Sequence, residues 1–278
     1  GKYLFSDMLI LRGNVRRLDL MGSWVGATVV NAFDGVKPLI RIESATQPVV
    51  LIERIGDVWN VGATTRPKGA VEHASPATLV IRDGGGISRN ALGSGPIFLE
   101  DVGVGECSFQ GIDVWGRQVN PEVAASLESY LKNDGGNLWI LGLKTERPNT
   151  AIKTVGGGKT ELLGGFIFPV GAVPTTLPAF INEGSSHSLT YVTNGSTDYQ
   201  VQVREIQGQT VLELLKADVL PRGGASAVPL FVGYEEGSDP VPKPSPRQDN
   251  GLRLFGLLAL LFGLLVASTN KVSGKSRQ

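Results

Sequence analysis

Residues 151–165 read AIKTVGGGKTELLGG, and the reading of this stretch decides what kind of chain this is. Gly158-Lys159-Thr160 matches the tail of a phosphate-binding loop, G-x-x-x-x-G-K-[ST]. With Gly158 as the second glycine of that pattern, the first falls at position 153, which is Lys153. After Thr160 comes ELLGGF, which is strand-like, so no helix N-terminus follows to hold a phosphate. The glycine run therefore reads as a corner between two short strands, where a positive φ costs glycine little. No nucleotide is expected there.

The flanking sequence has the same grammar. Short runs rich in Val, Ile, Leu, Thr and aromatics recur, among them PLIRIES, PVVLIERIG, ATLVIRDGGG, GPIFLEDVGVG, GIDVWGRQVN, NLWILGLKTE and YQVQVREIQG. Most end in Gly, Asn or Asp, which is strand-and-turn punctuation. One helical stretch stands out, NPEVAASLESYLKN at residues 120–133. Asn120 would cap it, Pro121 fits a first turn, Glu122 suits the positive end, and Val123, Leu127 and Tyr130 or Leu131 share a face. The body is thus all-β, and two architectures compete. A β-sandwich needs tight hairpins, and the main Asn-Gly pair is Asn194-Gly195. A parallel β-helix stacks short strands in coils, and the irregular strand spacing fits it.

Composition bounds the rest. The chain has 278 residues, 41% of them hydrophobic, enough for a sizeable core. Its 26 basic and 26 acidic residues cancel, so no basic excess points to nucleic acid. Glycine contributes 37 residues, about twice its usual share, without a period. A single cysteine, Cys107, excludes an intramolecular disulfide and CxxC zinc chemistry, and reads as a small buried residue. His73 and His187 lie in no metal-binding motif, so no metal ligand is assigned. The chain opens at Gly1 without a charged-then-apolar leader and reads as beginning inside a longer run of coils, which says nothing about secretion.

Character changes near the C-terminus. Residues 1–233 form the β domain, whose last part reads as a small β cap. Residues 234–251 are proline-rich and charged, as a linker would be. Residues 252–270 begin LRLFGLLALLFGLLVAST, apolar on every side and near the lower length limit of a membrane-spanning helix. Residues 271–278 carry Lys271, Lys275 and Arg277, which places this tail in the cytoplasm and the β body outside. The plainer reading of the apolar segment is a buried helix. Its position behind the linker favours the membrane.

Four pieces, GPIFLEDVGVG, DVWGRQVNPE, NDGGNLWILGLKTE and KTELLGGFIFP, resemble the C-terminal coils of bacterial pectate-lyase-superfamily, polygalacturonase-like proteins. The likeness is clearest over residues 77–169 and continues more weakly through AFINEGSSHSLTYV and YQVQVREIQGQTVLELL. It implies a single-stranded right-handed parallel β-helix that binds or cleaves polysaccharides at a cell surface. It carries over no catalytic residue, because the family's NTD and DD motifs are missing: NDGG offers the amide of Asn133 and the single carboxylate of Asp134.

The candidate substrate-facing residues are Arg117, Lys144, Glu146 and Asp101. Strand alternation places Lys144 and Glu146 on one side, with Leu141 and Leu143 on the other. Arg117 is expected over Lys144 and Glu146 from a neighbouring coil, forming a ladder to grip sugar hydroxyls or uronates. The plainer reading is a solvated ion-pair ladder. Glu100 and Asp101 are expected to face opposite sides, and Trp139, sharing parity with Leu141 and Leu143, to point inward. Trp115 reads as a packing residue or a sugar platform. Ser185, Ser186 and His187 lack a nucleophile-elbow pattern and read as a turn. Asn194-Gly195-Ser196 matches a glycosylation acceptor. Two functions remain: a surface-anchored lyase or glycoside hydrolase, with Ca2+ as the cofactor of a lyase, and a non-catalytic adhesin, glycan-binding module or stalk.

Overall fold

The computed structural model describes residues 1–27, 37–60, 71–85, 87–122, 128–193 and 198–233. The strands run β1 (Lys2–Phe5), β2 (Leu9–Gly13), β3 (Arg17–Ala27), β4 (Ile40–Ala45), β5 (Val49–Asn60), β6 (Val71–Ala74) and β7 (Thr78–Gly85). They continue with β8 (Ile87–Asn90), β9 (Ile97–Val104), β10 (Cys107–Gln110), β11 (Asp113–Pro121), β12 (Leu131–Asp134), β13 (Asn137–Glu146) and β14 (Ile152–Val155). The last are β15 (Lys159–Phe168), β16 (Pro178–Glu183), β17 (Ser186–Thr193), β18 (Val201–Gln207), β19 (Thr210–Leu215), β20 (Leu220–Arg222) and β21 (Ala225–Gly233).

Odd-numbered strands β1 to β17 lie side by side in one sheet, even-numbered β2 to β18 in another. Each strand pairs in parallel with the strand two places along, for example β11 with β13 and β12 with β14. Across the described residues the chain therefore alternates between two sheets as it advances, an all-β solenoid-like stack with no closed barrel. This arrangement excludes the sandwich, whose sheets are antiparallel. Among the described strands the direction reverses only at the end: β19 pairs antiparallel with β18, and β21 with β17 and β20.

Inward side chains form columns. Leu79, Ile97, Val114 and Leu138 stand in register, as do Ile81, Leu99, Gly116, Ile140 and Leu162. Apart from Gly116 these side chains form part of the buried apolar core. Each such burial is worth about 1.5–3 kcal/mol. Cys107 belongs to this core, and burial pushes its thiol pKa far up.

One residue per coil bends the long strands. Arg54, Asp83, Asp101, Gln118, Gly142 and Gly164 all have positive φ, and the register aligns them coil upon coil. The left-handed residue shifts the in-out alternation by one position. In β13, Leu138 and Ile140 point in before Gly142, and Leu143 and Thr145 after it. Two expectations are corrected by this bend. Trp139 and Leu141 face out, Leu141 being 57% exposed. Glu100 and Asp101 both reach solvent, because Asp101 occupies the bend.

The expected helix at 120–133 is also corrected at both ends. Asn120 and Pro121 continue β11, and Leu131, Lys132 and Asn133 belong to β12. Pairing with neighbouring coils outweighs local helix propensity there. Residues 123–127 lie outside the described residues, as do Asn194-Gly195-Ser196, the linker at 234–251, the apolar segment at 252–270 and the tail at 271–278. Among the described residues no helix is long and apolar enough to cross a membrane.

Asparagines hold the corners. The buried Asn133 side chain donates to the carbonyls of Gly136 (3.1 Å) and Lys159 (3.0 Å) and accepts from the Gly136 N–H (3.3 Å), tying two coils together. Asn90 does the same, receiving the Gln110 N–H at 2.7 Å and donating to the Gln110 carbonyl at 2.9 Å. Asp134 points outward to Lys132 at 3.6 Å, so NDGG is a structural corner.

Two buried histidines make the fold sensitive to acid. His73 lies 3.0 Å from the Ala77 carbonyl, and His187 lies 3.3 Å from Glu205 beneath Phe231. Burial holds both below the ordinary value of 6.5. The unfolded chain then takes protons that the folded chain refuses. Stability is full above that value and falls as pH drops below it, by up to about 1.4 kcal/mol per pH unit for each histidine. Urea denaturation between pH 7.5 and about 5 should show this slope, and His187→Gln should reduce it. An unchanged slope would exclude His187 as a source.

Candidate functional site

The bend divides the outward surface of the odd-numbered sheet into two faces. On the first, Val80, Phe98, Trp115, Trp139 and Glu161 stand in one column. Coil stacking brings three aromatic rings together. Phe98 and Trp115 stack with centroids 4.7 Å apart, and Trp115 and Trp139 at 5.0 Å, all within about 11° of parallel. The spacing follows the strand separation of about 4.8 Å. Because the rings stack on one another, their edges rather than their faces meet solvent. Leu141 and Leu163 follow in the adjacent column and are 57% and 50% exposed. Together they line a shallow depression of about 310 Å3 with Arg117, Glu100 and Glu161 at its borders.

The same adjacent column carries charge in its earlier coils: Glu53, Arg82, Glu100 and Arg117 stand in register. Glu53 is 2% exposed, sandwiched between Arg17 and Arg82, the latter 2.7 Å away. The hydrogen bond from Arg82 holds its carboxyl below the usual range, against the effect of burial. Arg117 pairs with Glu100, and Arg54 with Asp19.

Arg117 therefore does not lie over Lys144 and Glu146, which corrects the expected single ladder. Its register partners are Glu100 and Leu141. Lys144 and Glu146 lie beyond the bend, on the second face, where Lys144 pairs with Glu122 and, at 2.5 Å, with Glu146. Phe166 and Phe168 are their register partners in the next coil, with rings 5.9 Å apart. Asp101 stands exposed at the bend between the faces. The four residues singled out from sequence thus fall into three places. Sequence reasoning missed the ring column, because it carried strand alternation straight through Gly142; a glycine inside a strand is itself the signal of a bulge.

Ser185 closes a corner, donating to the Glu183 carbonyl at 3.0 Å, while Ser186 and His187 belong to β17 rather than to a turn. The His187 ring is turned into the core against Glu205 and Phe231. Among the described residues no three His, Cys, Asp or Glu side chains are grouped to hold a metal ion. Chemically, the first face offers apolar edges, two open leucines and paired arginines, with Glu161 at its border, a surface suited to contact.

Comparison with protein-family profiles, with curated protein sequences and with solved structures finds no match to this chain.

Proposed function

We propose that this chain is the glycan-binding body of a cell-surface protein, a right-handed parallel β-helix held to the membrane by residues 252–270. It holds a polysaccharide without cleaving it. Right-handed crossovers are the rule for parallel strands. The observation that carries the reading is the ring column of Phe98, Trp115 and Trp139, flanked in the adjacent column by Leu141 and Leu163 beside polar groups. Apolar C–H faces of sugar rings pack against such a ribbon, and hydroxyls find Arg117, Glu100 and Glu161 at its border. An exposed apolar patch rimmed by polar residues is a common mark of a binding site.

A catalytic reading draws on the resemblance to pectate-lyase-superfamily coils and on Glu122 and Glu146, two carboxylates at one cation. A glycosidase needs one of its two carboxyls protonated. Here both carboxyls are tied to the one Lys144 ammonium, so neither is free to hand a proton to a leaving group, which favours the binding reading. The test is a panel of polysaccharides scored for retention in affinity electrophoresis, for new reducing ends, and for unsaturated products with and without calcium. Retention without either product supports the proposal. Reducing ends would establish a hydrolase, and calcium-dependent unsaturated products a lyase. Release of the protein from membranes by salt alone would sink the anchor.

A further inference from the structure

We infer that the polymer taken by the ring face is uncharged. The inference rests on the glycan-binding reading and specifies its ligand class. A polyuronate needs cations to meet its carboxylates, and the arginines of this face are already engaged. Arg17 and Arg82 converge on Glu53, Arg54 is held by Asp19, and Arg117 by Glu100. The charges left over are mostly negative. Asp101, Asp113 and Glu161 form no ion pair among the described residues, and Lys159 stands two coils from Asp113 in the same column. Asp113 is instead met by the Asn137 amide at 2.7 Å.

A polyanion approaching this surface meets a field of its own sign and gains no steering. Displacing Glu100 from Arg117 does not help, because Glu100 stays on the same face. A neutral hexose or pentose polymer meets neither obstacle. Its apolar ring faces match the Phe98–Trp115–Trp139 ribbon, and its hydroxyls accept hydrogen bonds from arginine and donate them to carboxylate.

Affinity electrophoresis against a galactomannan, a mixed-linkage glucan and polygalacturonate, at low and at high salt, tests this. A neutral polymer should be retained at least tenfold more tightly than polygalacturonate, with little change in salt. Glu100→Gln, which leaves Arg117 without its carboxylate, should raise polygalacturonate affinity about fivefold at low salt, and salt should remove the gain. Polygalacturonate bound as tightly as the neutral polymers, weakened by salt and by Arg117→Gln, would overturn the inference while leaving the ring face as the binding site. Retention of no polymer, or retention unaffected by changes to Trp115 and Trp139, would overturn both.

Discussion

Gly136→Ala destabilises the folded chain by about 3 kcal/mol or more. Gly136 sits at the corner between β12 and β13, where a Cβ would stand 2.0 Å from the Ile112 carbonyl oxygen and within 3 Å of that residue's N and C atoms. All three are backbone atoms of the preceding coil, so no side chain can swing aside. The coils must separate, and with them the bonds that converge on the corner. The Gly136 carbonyl accepts from Asn133 at 3.1 Å and from the Lys159 N–H at 2.8 Å. Gly157→Ala is the control. Gly157 has φ +75 with open space around it, so alanine there costs only the left-handed backbone, about 1–2 kcal/mol. Chemical denaturation of both variants measures the difference. Equal midpoints would show that the coils yield freely at Gly136.

Trp115→Ala with Trp139→Ala should weaken polysaccharide binding by about 30-fold or more, the usual scale for truncating a central tryptophan of an interface, about 2 kcal/mol. Trp115 is the middle ring of the column, so its loss separates Phe98 from Trp139 and removes two stacked contacts. Those contacts are worth about 0.5–1.5 kcal/mol each, so some stability is lost too. Trp115→Phe keeps a flat ring in the column and should restore most stability and part of the binding. Binding that survives the double substitution in a folded protein places the ligand elsewhere, with the Lys144 and Phe166 face next to examine.

How far the strands were legible from sequence depended on where the rule of alternation held. NLWILGLKTE was recognisable as a strand, and AIKTVGGGKTELLGG as two strands around a glycine corner, which β14 and β15 match. Parity held beyond Gly142, where Leu143 is buried and Lys144 and Glu146 face out, and went wrong before it, at Trp139 and Leu141, because a single residue in the left-handed region moves the side chains on either side of it out of step. Gly142 and Gly164 announce this bend in sequence. Arg54, Asp83, Asp101 and Gln118 occupy the same position without any such sign. The helix expected at 120–133 had good caps and a plausible face. Pairing of Asn120 with Gly103, and of Leu131 with Cys107, decided otherwise at its ends.

The amino-acid sequence by itself determined that this chain is built of short strands and glycine corners, that Gly158-Lys159-Thr160 does not complete the phosphate-loop spacing, and that its charges cancel. Those are local or summed properties, and each is readable within a few residues or over the whole composition. Which side chains meet was decided by the stacking of coils. Phe98, Trp115 and Trp139 are separated by 17 and then 24 positions in the chain, yet lie about 5 Å apart because each coil closes after a different number of residues. Coil length is set by how each corner is tied, as Asn133 ties Gly136 to Lys159, and that is a fact of three dimensions.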